Sequence, residues 1–404
     1  MRCKILFAGL ILLSACCRAA ATPPPSTSPI STRPDTTIQI IFTSDVHFGI
    51  TRPAFDGDSN VRSTVVNARL VKTMNALPSL PLPTDKGVNA GQKVGPVDYI
   101  MISGDIANRQ EVPIQNAAIP IQSAAMSFGQ FQQDYLHGIT LHDHLGHPTG
   151  FLLVAGNHDV SDAIGFYRNM KPATDATSMA GIYNLMLHPT TPLTATSFRY
   201  PEDKINYSRT IGGIAFLFVN IWPDSANRVW MSNELARIDS RTPVIIVCHD
   251  PPDADAAHFT NPHGNHDINS KDRFENLLEE RSKDIRDTTA GADGKPQNDS
   301  IEQLGFVAFL KAHPNIKAYF HGHNNWNQFY TYTGPNGDVS LPTFRVDSPM
   351  KGKYSSKDET RLSFQLITID PASKILTVRE CRWNTDPTHP DKPAVWGDSL
   401  TLQL

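Results

Sequence analysis

The chain has 404 residues, with 36 Lys and Arg against 40 Asp and Glu, for a formal net charge of -4. That near-neutral balance gives no electrostatic argument for a nucleic-acid or membrane-surface partner, while the length allows one large α/β domain or two smaller ones with a sizeable core. Of five cysteines, Cys3, Cys16 and Cys17 lie at the extreme N-terminus, and Cys248 and Cys381 alone make no disulfide framework.

The first element in chain order is a leader. A short basic start, Met1-Arg2-Cys3-Lys4, precedes an apolar run from Ile5 to Leu13 that is too short to span a bilayer as a mature helix. Small residues follow, and then the Pro/Ser/Thr segment ATPPPSTSPISTRP, which cannot pack as a core. The pattern predicts export, with a leader over residues 1–21, a linker over 22–36 and one folded domain over 37–404. Leu13-Ser14-Ala15-Cys16 resembles a bacterial lipobox. Lipidation of Cys16 would anchor the chain to the envelope, leaving it periplasmic or membrane-tethered; cleavage after Ala19 or Ala21 would leave it secreted.

Six apolar, β-branched runs then read as buried strands: Ile38–Thr43, Tyr99–Ile102, Phe151–Ala155, Ile214–Val219, Val244–Cys248 and Ile316–Phe320. Helical spacing appears over Val61–Leu77, Ser232–Ile238, Arg273–Ile285 and Ile301–His313, the last stopping before Pro314. Ser363–Ile369 and Ile375–Arg379 alternate apolar and polar residues around a short turn and predict a hairpin. Residues 78–96 and 287–299 read as exposed polar loops. A single mixed α/β domain results.

The chemistry collects at strand ends. Asp45 and His47 follow the first strand, Gly104-Asp105 the second, and Gly156-Asn157-His158-Asp159 the third. His249 follows the strand ending at Cys248, and Gly322-His323 the last. Ligands of open α/β sheets bind outside the carboxyl ends of the strands, so these groups converge on one edge. Taken singly, each is an ordinary turn residue. Together they form a cluster whose negative charge two divalent cations would neutralise. Gly264-Asn265-His266-Asp267 repeats the third motif but has no apolar strand before it, and reads as a loop.

This ordered set resembles the calcineurin-like metallophosphoesterases. The resemblance implies a four-layer αββα sandwich with a dinuclear metal site at the strand C-terminal ends. It implies that Asp45 and His47 bind one metal, that Asp105 bridges both, and that Asn157, His249 and His323 hold the second. It gives His158 the role of proton donor or positive hydrogen-bond donor to the phosphoryl group, and Arg109 that of a bidentate phosphate clamp. Two metals roughly 3.5–4 Å apart would acidify a bridging water for in-line displacement. Oxygen and imidazole ligands suit Mn, Fe, Zn or Co.

Two departures from the family pattern stand out. The last motif is usually GHxH, whereas this chain reads His321-Gly322-His323-Asn324-Asn325. Aligning the glycines puts Asn325 in place of an imidazole; the other register makes His321 and His323 the pair. The second departure is Asn108, where the protein-phosphatase branch carries an Asp that supports the catalytic His. Asp159, adjacent to His158, is a candidate replacement, or else a cap for the following segment.

The expected reaction is hydrolysis of small extracytoplasmic phosphoesters, mono- or diester, with no nucleic acid and no membrane contact beyond the possible anchor at Cys16. The alternative is a metal-binding envelope protein made catalytically weak by Asn325. Trp222 and Trp326 are candidates for an apolar wall near the site, or for the core. The histidines at 137, 142, 144 and 147 read as surface residues.

Overall fold

The computed structural model describes residues 36–108, 122–160, 175–200, 202–254, 300–389 and 391–404. The leader, Arg109, the helix expected over 273–285, the loop expected over 287–299 and the second Gly-Asn-His-Asp lie outside them.

In the first half, the strands are β1 Ile38–Thr43, β2 Thr51–Phe55, β3 Asp58–Arg62, β4 Tyr99–Ile102, β5 Gly150–Leu153, β6 Tyr207–Ile211 and β7 Ile214–Phe218. The second half adds β8 Val244–Val247, β9 Ile316–His321, β10 Gln328–Tyr332, β11 Leu341–Arg345, β12 Ser363–Asp370, β13 Ile375–Arg382 and β14 Val395–Gln403. The α-helices are α1 Ser63–Ala76, α2 Ala124–Phe131, the single turn α3 Asn157–Val160, α4 Thr177–Leu187, α5 Ser225–Leu235 and α6 Ser300–Ala312.

Two six-stranded mixed sheets form the centre, in the orders β14-β13-β12-β1-β4-β5 and β10-β11-β9-β8-β7-β6. β1, β4 and β5 run parallel, as do β7, β8, β9 and β11, so their carboxyl ends share an edge in each sheet. Every residue of β1, β7 and β8 is buried, which is why β7 and β8 read as unbroken apolar runs and β1 as one interrupted only by Gln39 before its final Thr43. The sheets pack on each other through Phe42 of β1 and Phe320 of β9, whose rings meet edge-on at 5.3 Å. At the other side, the Tyr207 hydroxyl of β6 donates to Leu153 O of β5 at 2.8 Å. Burying each such side chain contributes roughly 2 kcal/mol.

Helices cover the outer faces. The thioether of Met186 in α4 lies 3.2 Å from Leu153 N of β5, and Phe306 of α6 packs on Tyr319 of β9. This is the four-layer αββα sandwich that the resemblance implies. The hairpin β12–β13 also forms, with Ser363 opposite Arg382 and Asp370 opposite Ile375.

Some expectations shift. α5 begins seven residues before the expected 232, because the Asp224 carboxylate caps it by accepting from Asn227 N at 2.8 Å. Residues 78–96 are not simply an exposed loop: Leu82 and Val94 are buried, and Asp85 pairs with the buried Arg379 at 2.7 Å. Cys248, Cys381 and Trp222 are all core residues, and the Trp222 indole donates to Pro251 O. Among the described residues no helix is long and apolar enough to cross a membrane.

Candidate metal centre

Each strand that enters the shared edge must turn at once for the following side chains to face one point. The backbone does so through the left-handed region: Asp45, His47, Asp105, His323 and Asn325 have φ of 54°, 41°, 52°, 62° and 64°. Such conformations cost of order 1–3 kcal/mol each and persist where the surroundings impose them, commonly at functional sites. The motif glycines serve close approach. A Cβ on Gly156 would collide with the Asp105 carboxylate and the His249 ring, and one on Gly322 with Ser44 and Asp45.

The side chains brought together are almost wholly buried. His47 Nε2 lies 3.6 Å from both Asp45 Oδ1 and Asp105 Oδ2, and His249 Nε2 lies 3.4 Å from Asp105 Oδ2. Asn157 Oδ1 stands 3.0 Å from His249 Nε2 and 3.2 Å from His323 Nδ1, and these two ring nitrogens are 3.1 Å apart. Main-chain N–H groups hold the carboxylates: His323 N donates to Asp45 Oδ2 at 2.9 Å, and His158 N to Asp105 Oδ1 at 2.8 Å.

These residues fit a divalent cation. Asp45 Oδ1 and His47 Nε2 are buried with no hydrogen-bond partner, a costly arrangement that a cation would relieve. His249 Nδ1 donates to Ser103 O at 2.7 Å, which leaves its Nε2 lone pair facing Asp105 and Asn157. Two groups of side chains are close enough to hold an ion, Asp45 with Asp105 and His249, and His249 with Asp250 and His323. The donors are oxygen and imidazole nitrogen, a set that suits borderline divalent metals.

The electrostatics point the same way. Burial works to lower the His249 imidazole, but Asp105, Asp45 and Asp250 outweigh it and push its pKa up to about 10. Burial works to raise the Asp105 carboxyl, but His249, His158 and His47 hold it well below the usual range. The site therefore demands positive charge.

Four residues that adjacency left open take definite partners. His321 is buried on β9 with Nδ1 3.0 Å from Gly322 O and Nε2 2.8 Å from the Tyr330 hydroxyl, so both nitrogens are engaged away from the carboxylates. Asn325 donates to His323 O at 2.7 Å and keeps a buried Oδ1 with no hydrogen-bond partner, as a ligand oxygen would. Asp159 does not serve the His158 ring. Its carboxylate accepts from Ile106 N, Ala107 N, Gly156 N and the Ser178 hydroxyl at 2.6–3.1 Å, which binds the Asp105 loop to the Asn157 loop. Asn108 attends His47, its amide Nδ2 3.3 Å from Nδ1; exchanging the amide N and O, which also gives the otherwise unpartnered Oδ1 a donor, lets it accept Nδ1–H and leaves Nε2 for an ion.

Two residues escaped the sequence reading. Asp250, fully buried, puts Oδ1 3.4 Å from His323 Nδ1; its position directly after His249 at a strand end was the available signal. Lys351 puts Nζ 3.3 Å from His158 Nε2, from a loop after β11 that carries no motif. Trp326 offers no open apolar wall, because Arg345 lies 3.4 Å and Lys353 4.0 Å from its ring centre. The histidines at 142, 144 and 147 lie near the amino ends of β4 and β5, where His144 pairs with Asp98.

A two-sheet α/β sandwich with buried carboxylates, imidazoles and an amide at the strand ends defines a metal-dependent hydrolase class. The sequence profile of the calcineurin-like phosphoesterases matches residues 38–326, and the chain belongs to that family. Family membership supports metal-dependent phosphoester hydrolysis in general terms. No functionally curated protein matches the sequence.

Among solved structures, a dimetal phosphatase from Danio rerio is similar at 10% identity and TM-score 0.43, covering 85% of this chain and 95% of that one. A phosphopantetheinyl hydrolase from Mycobacterium tuberculosis shows 11% identity and TM-score 0.29, covering 77% and 90%. The calcineurin-like phosphoesterase YfkN from Bacillus subtilis shows 11% identity and TM-score 0.29, covering 91% and 90%.

Proposed function

We propose that this chain is an exported metallophosphoesterase that hydrolyses small phosphoesters outside the cytoplasm with two divalent cations. The observation that carries the reading is the meeting of Asp45, His47, Asp105, Asn157, His249 and His323, from five strand ends, in one buried patch with unsatisfied Asp45 and His47 atoms.

Asp45, His47 and the Asn325 amide oxygen would hold one cation, Asn157, His249 and His323 the other, with Asp105 shared and Asp250 beside His323. When bound, such cations supply charge neutralisation at phosphoryl oxygens and a water acidified for attack. His158 stands against His47, ring centres 5.0 Å apart, where it can protonate the leaving oxygen. Asp159 keeps the two ligand loops in register, and Asn108 orients His47. The N-terminal leader supports export, with Cys16 as the site of a lipid anchor.

The test is a substrate panel. Protein stripped of metal and reloaded with Mn, Zn, Fe or Co should hydrolyse an aryl phosphate monoester or diester, and His158→Ala should lose most of that turnover while keeping its metal. One or no metal retained, with no turnover on any ester, would sink the enzyme reading. It would favour a metal-binding envelope protein, the second reading, which Asn325 in place of an imidazole supports.

A further inference from the structure

One side of the metal centre is built by the chain after β11. Ser348 Oγ donates to Asp45 O at 2.8 Å and accepts from Met350 N and Lys351 N, so the turn is fastened to a ligand-bearing residue. Two residues further on, Lys353 N donates to Asn325 O, a second fastening to the same centre. Lys351 lies between these anchors, and its ammonium reaches His158 Nε2 at 3.3 Å. An ammonium only donates, so Nε2 accepts in this arrangement; drawn onto a phosphoryl oxygen, the ammonium leaves Nε2 to carry the proton for the leaving oxygen.

Further cations follow on this stretch, Arg345 and Lys353 against the Trp326 ring and Arg361 4.9 Å from the ring centre of Tyr354, in a cleft that Asp347, Glu380 and Asp398 also line. Arg345 also donates to Asn324 Oδ1 at 3.2 Å. The aromatic rings thus act as struts for cations beside the site.

Resting on the phosphoesterase reading above, we propose that Lys351 is a substrate-binding residue that donates to a non-bridging oxygen of the phosphoryl group and biases the site towards phosphate monoesters. A phosphoryl group brought between the ligands and His158 comes within reach of the atom that already touches His158. A monoester dianion carries one more negative charge than a diester and gains more from a fixed ammonium. The turn anchored by Ser348 holds the Lys351 backbone beside the centre.

The experiment compares wild type, Lys351→Met and Lys351→Arg, each reloaded with metal and checked for equal metal content. Orthophosphate binding is titrated calorimetrically, and kcat/KM is measured for an aryl phosphate monoester and its matching methyl aryl diester. Lys351→Met should weaken orthophosphate binding about tenfold and lower monoester kcat/KM about tenfold more than diester kcat/KM, with Lys351→Arg recovering most of both. Unchanged orthophosphate binding, or equal losses on the two esters, would overturn the assignment. If wild type turns over neither ester, the phosphoesterase reading fails, and the orthophosphate titration alone decides whether Lys351 is an anion-binding residue.

Discussion

Asp159 accepts from the main-chain N–H of Ile106 at 3.1 Å while sitting three residues beyond Gly156, whose N–H it also takes at 2.9 Å. One buried carboxylate therefore fixes the Asp105 loop relative to the Asn157 loop. In Asp159→Asn an amide nitrogen replaces one acceptor oxygen facing backbone donors. The variant should lose about 2–4 kcal/mol in denaturant unfolding and retain less metal on dialysis. An unchanged unfolding midpoint would show that the clamp contributes nothing.

Asn325 combines a left-handed backbone, φ 64°, with a buried amide oxygen that has no hydrogen-bond partner. Asn suits that backbone better than His does, whereas imidazole is the stronger ligand for a borderline metal. Asn325→His should raise metal occupancy at limiting metal and lower stability by about 1 kcal/mol. Equal occupancy in metal analysis would place residue 325 outside the ligand set.

Asp347 is buried, and its pKa rises to about 7 despite the Ser355 hydroxyl and the nearby Arg52. An ordinary aspartate titrates at about 3.9, so between roughly pH 4 and 7 the folded chain holds a proton that the unfolded chain has released. This group's contribution to stability therefore falls as pH rises through that window, with the full penalty present above it. Asp347→Asn imitates the protonated form. It should gain stability relative to wild type between pH 5 and pH 8 in thermal unfolding; a pH-independent difference would contradict the assignment.

The two copies of Gly-Asn-His-Asp make a paired test. Asn157 touches both His249 and His323, so Asn157→Ala should lower metal content by a measurable fraction of an ion per chain. If Asn265→Ala does this instead, the wrong copy has been placed at the centre.

How much was legible follows from burial. β1 and β4 match the sequence reading residue for residue because strands covered on both faces leave dense apolar runs, broken in β1 only by Gln39 before the final Thr43. β14, largely exposed, and β2, which contains Pro53, carry no such signal. The candidate ligands stood out because strand ends converge by topology. The role of Asp159 did not: Asn157–Val160 is a helical turn, and neighbours there point about 100° apart, so adjacency to His158 says little about contact. Lys351 depends on the path of a loop between two anchors, Asp45 and Asn325, distant in sequence. No local pattern encodes that meeting.

The most direct measurement is metal content per chain taken together with turnover, on wild type and Asp105→Ala. Wild type should lose hydrolysis on chelation and regain it as two equivalents of metal return, while Asp105→Ala should remain folded, bind metal poorly and stay inactive. Hydrolysis that survives complete chelation, or an Asp105→Ala variant that loads and turns over like wild type, would contradict the account.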